Sequence, residues 1–303
     1  MKVLVTGALG FLGRTILEQY AASGARLLAL ARSAPDLALA PQAAWLVHEL
    51  PSAALAPLLA AEQPDLLVHA AGAANVGRSV AEPLQDFEGS VRILAHLLEA
   101  VRTQSPSTRL VVLSSAAVYG NPQQLPIAES TQLQPISPYG YHKRMGEELC
   151  AYYAQLYGLQ VCSLRIFSAY GPGLRRQVIW DISRKAREDT TVELMGTGEE
   201  SRDFIYAADI ARAVRAVAEQ GDFHAGVYNV ASGVSTTIAE VAAGVTERIA
   251  PGKLVRFNGV QRSGDPRNWQ ADVTRLAALG FTPQVAFADG LTAYIDWFLG
   301  LAG

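Results

Sequence analysis

The chain has 303 residues, half of them apolar, enough to bury a sizeable core in one large domain or two small ones. Its formal charge of −3, with no basic run, argues against nucleic acid or a membrane surface as main partner and leaves space for a local phosphate pocket. Cys150 and Cys162, the two cysteines, lack metal-ligand spacing and read as buried small side chains in a reducing compartment, and no apolar stretch reaches transmembrane length uninterrupted.

The first element is a strand, Val3–Val5, which follows Met1 so closely that no signal peptide is expected and the cytoplasm is the expected location. Thr6-Gly7-Ala8-Leu9-Gly10-Phe11-Leu12-Gly13 comes next and opens an amphipathic helix of about 12 residues carrying Leu12, Ile16, Leu17 and Tyr20 on one face. A strand, a tight glycine turn and a helix start aim free backbone N–H groups at a pyrophosphate. Glycines alone also suit plain close packing, but a turn after the very first strand favours dinucleotide binding.

Apolar runs at Leu27–Leu30, Leu66–Val68, Leu110–Leu113 and Val161–Ile166 then alternate with helix-like stretches, the pattern of a parallel sheet covered on both faces. The Ala- and Pro-rich stretch from Ala34 to Pro64 reads as a loop, a short strand (Trp45-Leu46-Val47) and a helix from Ala53 to Ala61. Two long helices are predicted, Pro83 to Val101 and Pro138 to Tyr157. The second carries Tyr139 and Lys143 one turn apart on the same face, a phenol beside an ammonium. Tyr141 lies on another side, while His142 and His69 read as a surface helix position and a strand end.

After Ile166 the turn cluster Tyr170-Gly171-Pro172-Gly173 marks a change of texture, with shorter elements beyond it. The predicted division is a dinucleotide-binding domain over 1–170 and a smaller lobe over 171–303, with segments free to interleave. That lobe carries Arg175, Arg176, Arg202 and Arg262, guanidinium groups that would grip a diphosphate if they converge and would otherwise face solvent.

With these residues in view, the chain resembles an extended short-chain dehydrogenase/reductase of the nucleotide-sugar-modifying group, the family that includes UDP-galactose 4-epimerase. The matches run nearly end to end: Thr6–Gly13, Val68 to Gly72, Val76 to Pro83, Ser114 to Gly120, Ser137 to Lys143, Leu164 to Phe167, Tyr170 to Gly173, Gly196-Thr197-Gly198 with Arg202-Asp203, Tyr228 to Gly233, and Gly264-Asp265-Pro266. The resemblance implies an α/β fold, a Rossmann doubly wound parallel sheet with a smaller C-terminal substrate-binding α/β lobe. It implies catalysis by Ser115, Tyr139 and Lys143, the tyrosine as general acid or base and the lysine holding the nicotinamide ribose. A free phenol titrates near 10, so it needs positive charge nearby to serve as a base at neutral pH. Ser115 is preferred to Ser114 because it aligns with the family's serine, and strand neighbours face opposite ways.

The same resemblance implies cofactor contacts at Gly7, Gly10, Phe11, Leu12, Gly13, Arg32, Ser33, Glu49, Leu50, Ala70, Ala71, Gly72, Ser90, Tyr139, Lys143 and Phe167. It implies substrate contacts at Ser79, Ser115, Ala116, Ser168, Arg175, Arg202, Arg262 and Asp265, and a homodimer through the two long helices. Departures refine it. Ala116 and Ala117 stand where dehydratases carry an Asp-Glu pair and decarboxylases a glutamate, which disfavours both reactions. Ala31 removes the acid that would select NAD, and Arg32 with Ser33 suits a 2′-phosphate, so NADP is favoured and NAD remains compatible. Ser90 and Ser168 replace asparagines, and Ala74 replaces the lysine of galactose-type epimerases. These features lead to NADP-dependent reduction of a nucleotide-linked 4-keto sugar as first expectation, a 4-epimerase with tightly bound cofactor as its alternative, and a non-catalytic NADP-binding redox sensor as the alternative of another class.

Overall fold

The structure is a computed structural model that describes residues 1–35, 40–260 and 264–301. Twelve strands are present among these residues: β1 (Lys2–Thr6), β2 (Arg26–Ala31), β3 (Ala44–Val47), β4 (Leu66–His69), β5 (Arg109–Ser115), β6 (Val161–Ile166), β7 (Ser168–Tyr170), β8 (Val192–Leu194), β9 (Ser201–Tyr206), β10 (His224–Val230), β11 (Ser235–Thr237) and β12 (Val255–Phe257). Seven form one wholly parallel sheet in the order β10-β6-β5-β4-β1-β2-β3. The order reverses beside β1, and at such a switch the carboxyl ends of the strands open a crevice.

Alternating side chains of the strands divide the core. On one face Val3, Val5, Leu27, Ala29 and Val68 pack with the helices Phe11–Ala22 and Ala207–Gln220. On the other, Leu4, Leu28, Leu67 and Leu110 meet the helices Leu55–Glu62, Ile93–Gln104 and Pro138–Tyr157. Each fully buried aliphatic side chain contributes roughly 1.5–3 kcal/mol by area, so these two layers hold the frame on which the strand ends sit.

Beyond residue 170 the chain serves both halves. The helix Ala207–Gln220 and strand β10 join the large sheet, whereas the helices Gln177–Glu188, Ile238–Ile249 and Phe287–Gly300 enclose a separate core around Ile182, Val241, Tyr294 and Phe298. Strand β10 had no counterpart among the predicted runs. Its pairing with β6 is interrupted by a register shift between His224 and Gly226, and Ala225 takes a left-handed φ of 61°, so its alternation is broken at the start.

The helix predicted from Pro83 to Val101 is two α-helices, Pro83–Phe87 and Ile93–Gln104, separated by a π-helical turn at Glu88–Arg92. Apolar periodicity does not register one widened turn. The helix predicted from Ala53 starts at Leu55 and ends at Glu62. Pro138–Tyr157 has the predicted bounds, because the Ser137 side chain accepts the Gly140 N–H, Pro138 fills the first position and Gly158 takes the left-handed cap.

Candidate active site

The glycine turn is built by contact between backbones. Gly7 has φ 67°, and a Cβ there would lie 2.6 Å from the Ala71 nitrogen; a Cβ on Gly13 would lie 2.1 Å from the Gly7 carbonyl oxygen. Only bare backbone fits both places. Gly10 N–H donates to Gly7 O at 2.8 Å and Arg14 N–H to Gly10 O at 2.9 Å, so the helix starts without a side-chain cap. Its first-turn N–H groups at Phe11, Leu12 and Gly13 precede the first intrahelical bond, at Arg14, and are left free, a cradle that fits the pyrophosphate of a dinucleotide. The Phe11 and Leu12 side chains pack into separate apolar clusters, which leaves their backbone N–H groups as what this turn offers a ligand.

Arg32 and Ser33 are exposed just past β2, where the adenosine end of a dinucleotide bound at this turn would lie. Glu49 is exposed beyond β3, and Leu50 is buried with Leu28, Leu30 and Leu55. Ala70 and Ala71 press against Gly7, and Ala73 N–H donates to Gly89 O at 3.1 Å, tying the segment after β4 to the π turn that carries Ser90. Phe167 is buried edge-on against Trp269, with ring centroids 5.8 Å apart.

Ser115, Tyr139 and Lys143 converge at the carboxyl end of β5. Ser115 ends the strand and its Oγ accepts the Ala117 N–H at 3.2 Å, forming a turn on which the helix Pro138–Tyr157 rests. Gly140 makes this close approach possible, since a Cβ there would lie 2.5 Å from the Ala117 carbonyl oxygen. Tyr139 is half-buried against the cluster of Ala116, Ala117 and Phe167. Lys143 Nζ donates to Leu113 O at 2.8 Å and lies 5.7 Å from the centre of the Tyr139 ring. Tyr141 is 50 % exposed, and Ser114 is turned inward, where its hydroxyl donates to Glu147 Oε1. Glu147 in turn accepts from Arg165 at 2.7–3.1 Å, a buried pair that backs the site.

Several residues expected at the substrate stand otherwise. Ser79 is fully buried with its hydroxyl engaged twice, donating to Val76 O at 2.7 Å and accepting the Tyr139 N–H at 3.1 Å, so it holds the tyrosine's backbone. The Ala116 side chain is wholly in the core. Arg175 lies 5.9 Å over the Trp297 ring, whereas Arg202 lies 5.8 Å over the Trp269 ring, so the two guanidinium groups stack on different aromatic residues. Ser168 opens β7, half-buried. Arg202 is fixed by donation to the carbonyls of Ser201 and Arg267 at 2.9 and 3.1 Å; burial pulls its pKa below the ordinary arginine value, opposed by Asp265 and then Glu200. Exposed Asp265 follows Gly264, which rests against Val76 and Ser137 and so brings this loop over the start of the tyrosine's helix. Arg262 lies outside the described residues.

Two histidines have more defined roles than the sequence suggested. His69 is buried with Nδ1 at 2.8 Å from Thr6 Oγ1; burial first, and the Lys143 ammonium second, push its pKa down to about 3, so it is neutral. His142 is not a surface residue: it pairs with Asp86, which is buried. This pair left no trace in the sequence, because its members come from different helices.

Fold and site together define an enzyme of the extended short-chain dehydrogenase/reductase type, with a tyrosine and a lysine one helical turn apart beside a glycine turn. The chain belongs to the NAD dependent epimerase/dehydratase family, whose model matches residues 3–231. It is 29% identical over 314 residues to UDP-glucose 4-epimerase of Mycolicibacterium smegmatis, covering 98% of each chain. Among solved structures, MoeE5 in complex with UDP-glucose and NAD is similar with a TM-score of 0.90 and 29% identity, covering 100% of both chains. UDP-glucose 4-epimerase of Thermus thermophilus in complex with NAD is similar with a TM-score of 0.90 and 29% identity over 99% of both chains. The protein is thus a nucleotide-sugar epimerase or a related nucleotide-sugar-modifying enzyme, and the comparisons favour epimerisation over the one-way reduction first expected.

Proposed function

We propose that this chain is a nucleotide-sugar 4-epimerase with a tightly held nicotinamide dinucleotide. The observation that carries the reading is the convergence of Ser115, Tyr139 and Lys143 at the end of β5. The Gly7–Gly13 turn would hold the pyrophosphate, Arg32 and Ser33 the adenosine end, and Lys143 the nicotinamide ribose. When bound, the dinucleotide supplies a hydride acceptor that later returns the hydride. Tyr139 Oη would take the proton of the sugar C4 hydroxyl and give it back to the same oxygen when the hydride is returned to the opposite face of C4. Ser115 bonds the same oxygen, and the Lys143 ammonium stands 5.7 Å from the centre of the Tyr139 ring. Arg202 and Asp265 meet the nucleotide diphosphate and ribose. Ala116 and Ala117, both buried, offer no second acid–base pair, so water is not eliminated.

Arg32 and Ser33 favour a second reading, in which NADPH reduces a 4-keto sugar nucleotide one way. No helix among the described residues is long and apolar enough to cross a membrane. Two buried free thiols suit the cytoplasm, and exposed Leu84, Tyr141, Met145 and Leu156 on the two helical segments suit a homodimer.

Proton NMR of purified protein with UDP-glucose or UDP-galactose tests the reading. The expected result is interconversion without added cofactor, lost in Tyr139→Phe with the dinucleotide retained. NADPH consumed in step with a 4-keto substrate, and no interconversion, would favour the reductase; wild-type rates in Tyr139→Phe would overturn both.

A further inference from the structure

His142 precedes Lys143 in the chain, and its imidazole is nearly enclosed. Nδ1 donates to Asp86 Oδ2 at 2.6 Å, the two side chains are 11% and 4% exposed, and Phe87 meets the ring edge-on at 5.6 Å. On the other side of the imidazole from Asp86, His142 helps line a cavity of about 20 Å³ with Lys143, His69, Ser90, Gly72 and Glu147, space for about one water. The Ser90 hydroxyl, displayed by the π turn, is buried and has no hydrogen-bond partner among the described residues. A buried hydroxyl without a partner is costly, and one water in this cavity would satisfy it. With Nδ1 committed to Asp86, Nε2 is the atom His142 has left for that water.

The charged groups around the imidazole come from every packed element. Asp86 faces it from the helix Pro83–Phe87, Lys143 and Glu147 share its own helix, and Glu147 is matched by Arg165 from β6. His69 of β4 stays neutral, and Glu88 and Arg92 of the π turn are paired with each other at the surface. Histidine is the side chain whose charge ordinarily changes near neutral pH.

We propose that His142, oriented by Asp86, is a positioning residue for Lys143: imidazole, Ser90 hydroxyl and ammonium share one cavity water, and the charge of the Asp86–His142 pair sets the field in which Lys143 and Tyr139 work. This deepens the reading of Tyr139 and Lys143 as the reacting pair and rests on it. With a neutral imidazole the pair carries one negative charge and supports the ammonium. Protonation of His142 cancels that charge and favours the Tyr139 phenolate.

The first test needs no turnover. In ¹H–¹⁵N spectra of the histidine-labelled full chain, His142 is assigned by its loss in His142→Gln and titrated. Its midpoint rises by on the order of half to one pH unit in Lys143→Gln and falls by a similar amount in Asp86→Asn. Midpoints that stay in place in both variants overturn the proposal, whichever substrate the enzyme takes. The second test is the pH profile of kcat with UDP-glucose and UDP-galactose. His142→Gln flattens this profile with KM unchanged, and Asp86→Asn changes its shape. A drop uniform across pH, with a parallel loss of melting temperature, marks a merely structural pair and overturns it. Should neither sugar turn over, the functional reading fails while the NMR titration still decides the coupling.

Discussion

The Ser79 hydroxyl accepts the backbone N–H of Tyr139 at 3.1 Å while donating to Val76 O. This bond holds the first turn of the helix Pro138–Tyr157 against the segment after β4, and with it the phenol's approach to Ser115. Ser79→Ala leaves a half-buried N–H without this partner, a loss of about 1 kcal/mol. Chemical denaturation should show that loss, and kcat should fall more than KM rises. A variant with wild-type stability and kcat would remove Ser79 from the support of Tyr139.

Gly13 has no space for a methyl group, because the Gly7 carbonyl oxygen occupies it. Gly13→Ala must push the helix start away from the strand ends, at roughly 1–3 kcal/mol. The purified variant should lose bound dinucleotide, read from its absorbance after denaturation. Full retention of nucleotide would place the pyrophosphate elsewhere.

Arg32 is exposed just past β2, with Ser33 beside it. Charge-assisted hydrogen bonds to a 2′-phosphate are worth about 1.5–3 kcal/mol, so Arg32→Ala should weaken NADP binding by roughly tenfold or more and leave NAD binding unchanged. Calorimetry with both cofactors decides it. Equal losses for both would mean that the guanidinium rests on the adenine.

The depressed pKa of His69 has a stability consequence. In the unfolded chain the imidazole binds a proton below about 6.5, whereas in the folded protein it stays neutral down to about 3. The unfolded state therefore holds the extra proton between these values, and stability falls as pH falls through that window, at up to about 1.4 kcal/mol per pH unit. Urea unfolding at pH 7, 6 and 5 should show this slope, and His69→Asn should flatten it. An unchanged slope in the variant would assign the acid sensitivity to other groups.

Much of the frame was legible in the chain. The runs that became β1, β2, β4, β5 and β6 stood out because a sheet buried on both faces needs uninterrupted apolar residues. The bounds of Pro138–Tyr157 were legible because capping is local chemistry. Strand β10 was hidden by its bulge and the π turn by its single extra residue, and the support given by Ser79 lies in a hydrogen bond across 60 residues.

By itself the amino-acid order determined the glycine turn, the phenol and ammonium on one helical face, and the apolar alanines that disfavour dehydration. The first two follow from backbone geometry within a few residues, and the third from the resemblance to dehydratases that carry an acid–base pair at those positions. Only the tertiary structure decided that Ser115 caps the turn beneath the tyrosine's helix while Ser114 turns to Glu147, that Arg175 and Arg202 stack on different aromatic rings, and that His142 is enclosed with Asp86. Those outcomes depend on which elements the packed core brings together, and hydrogen bonds and charges between distant segments exist only once that core has excluded water.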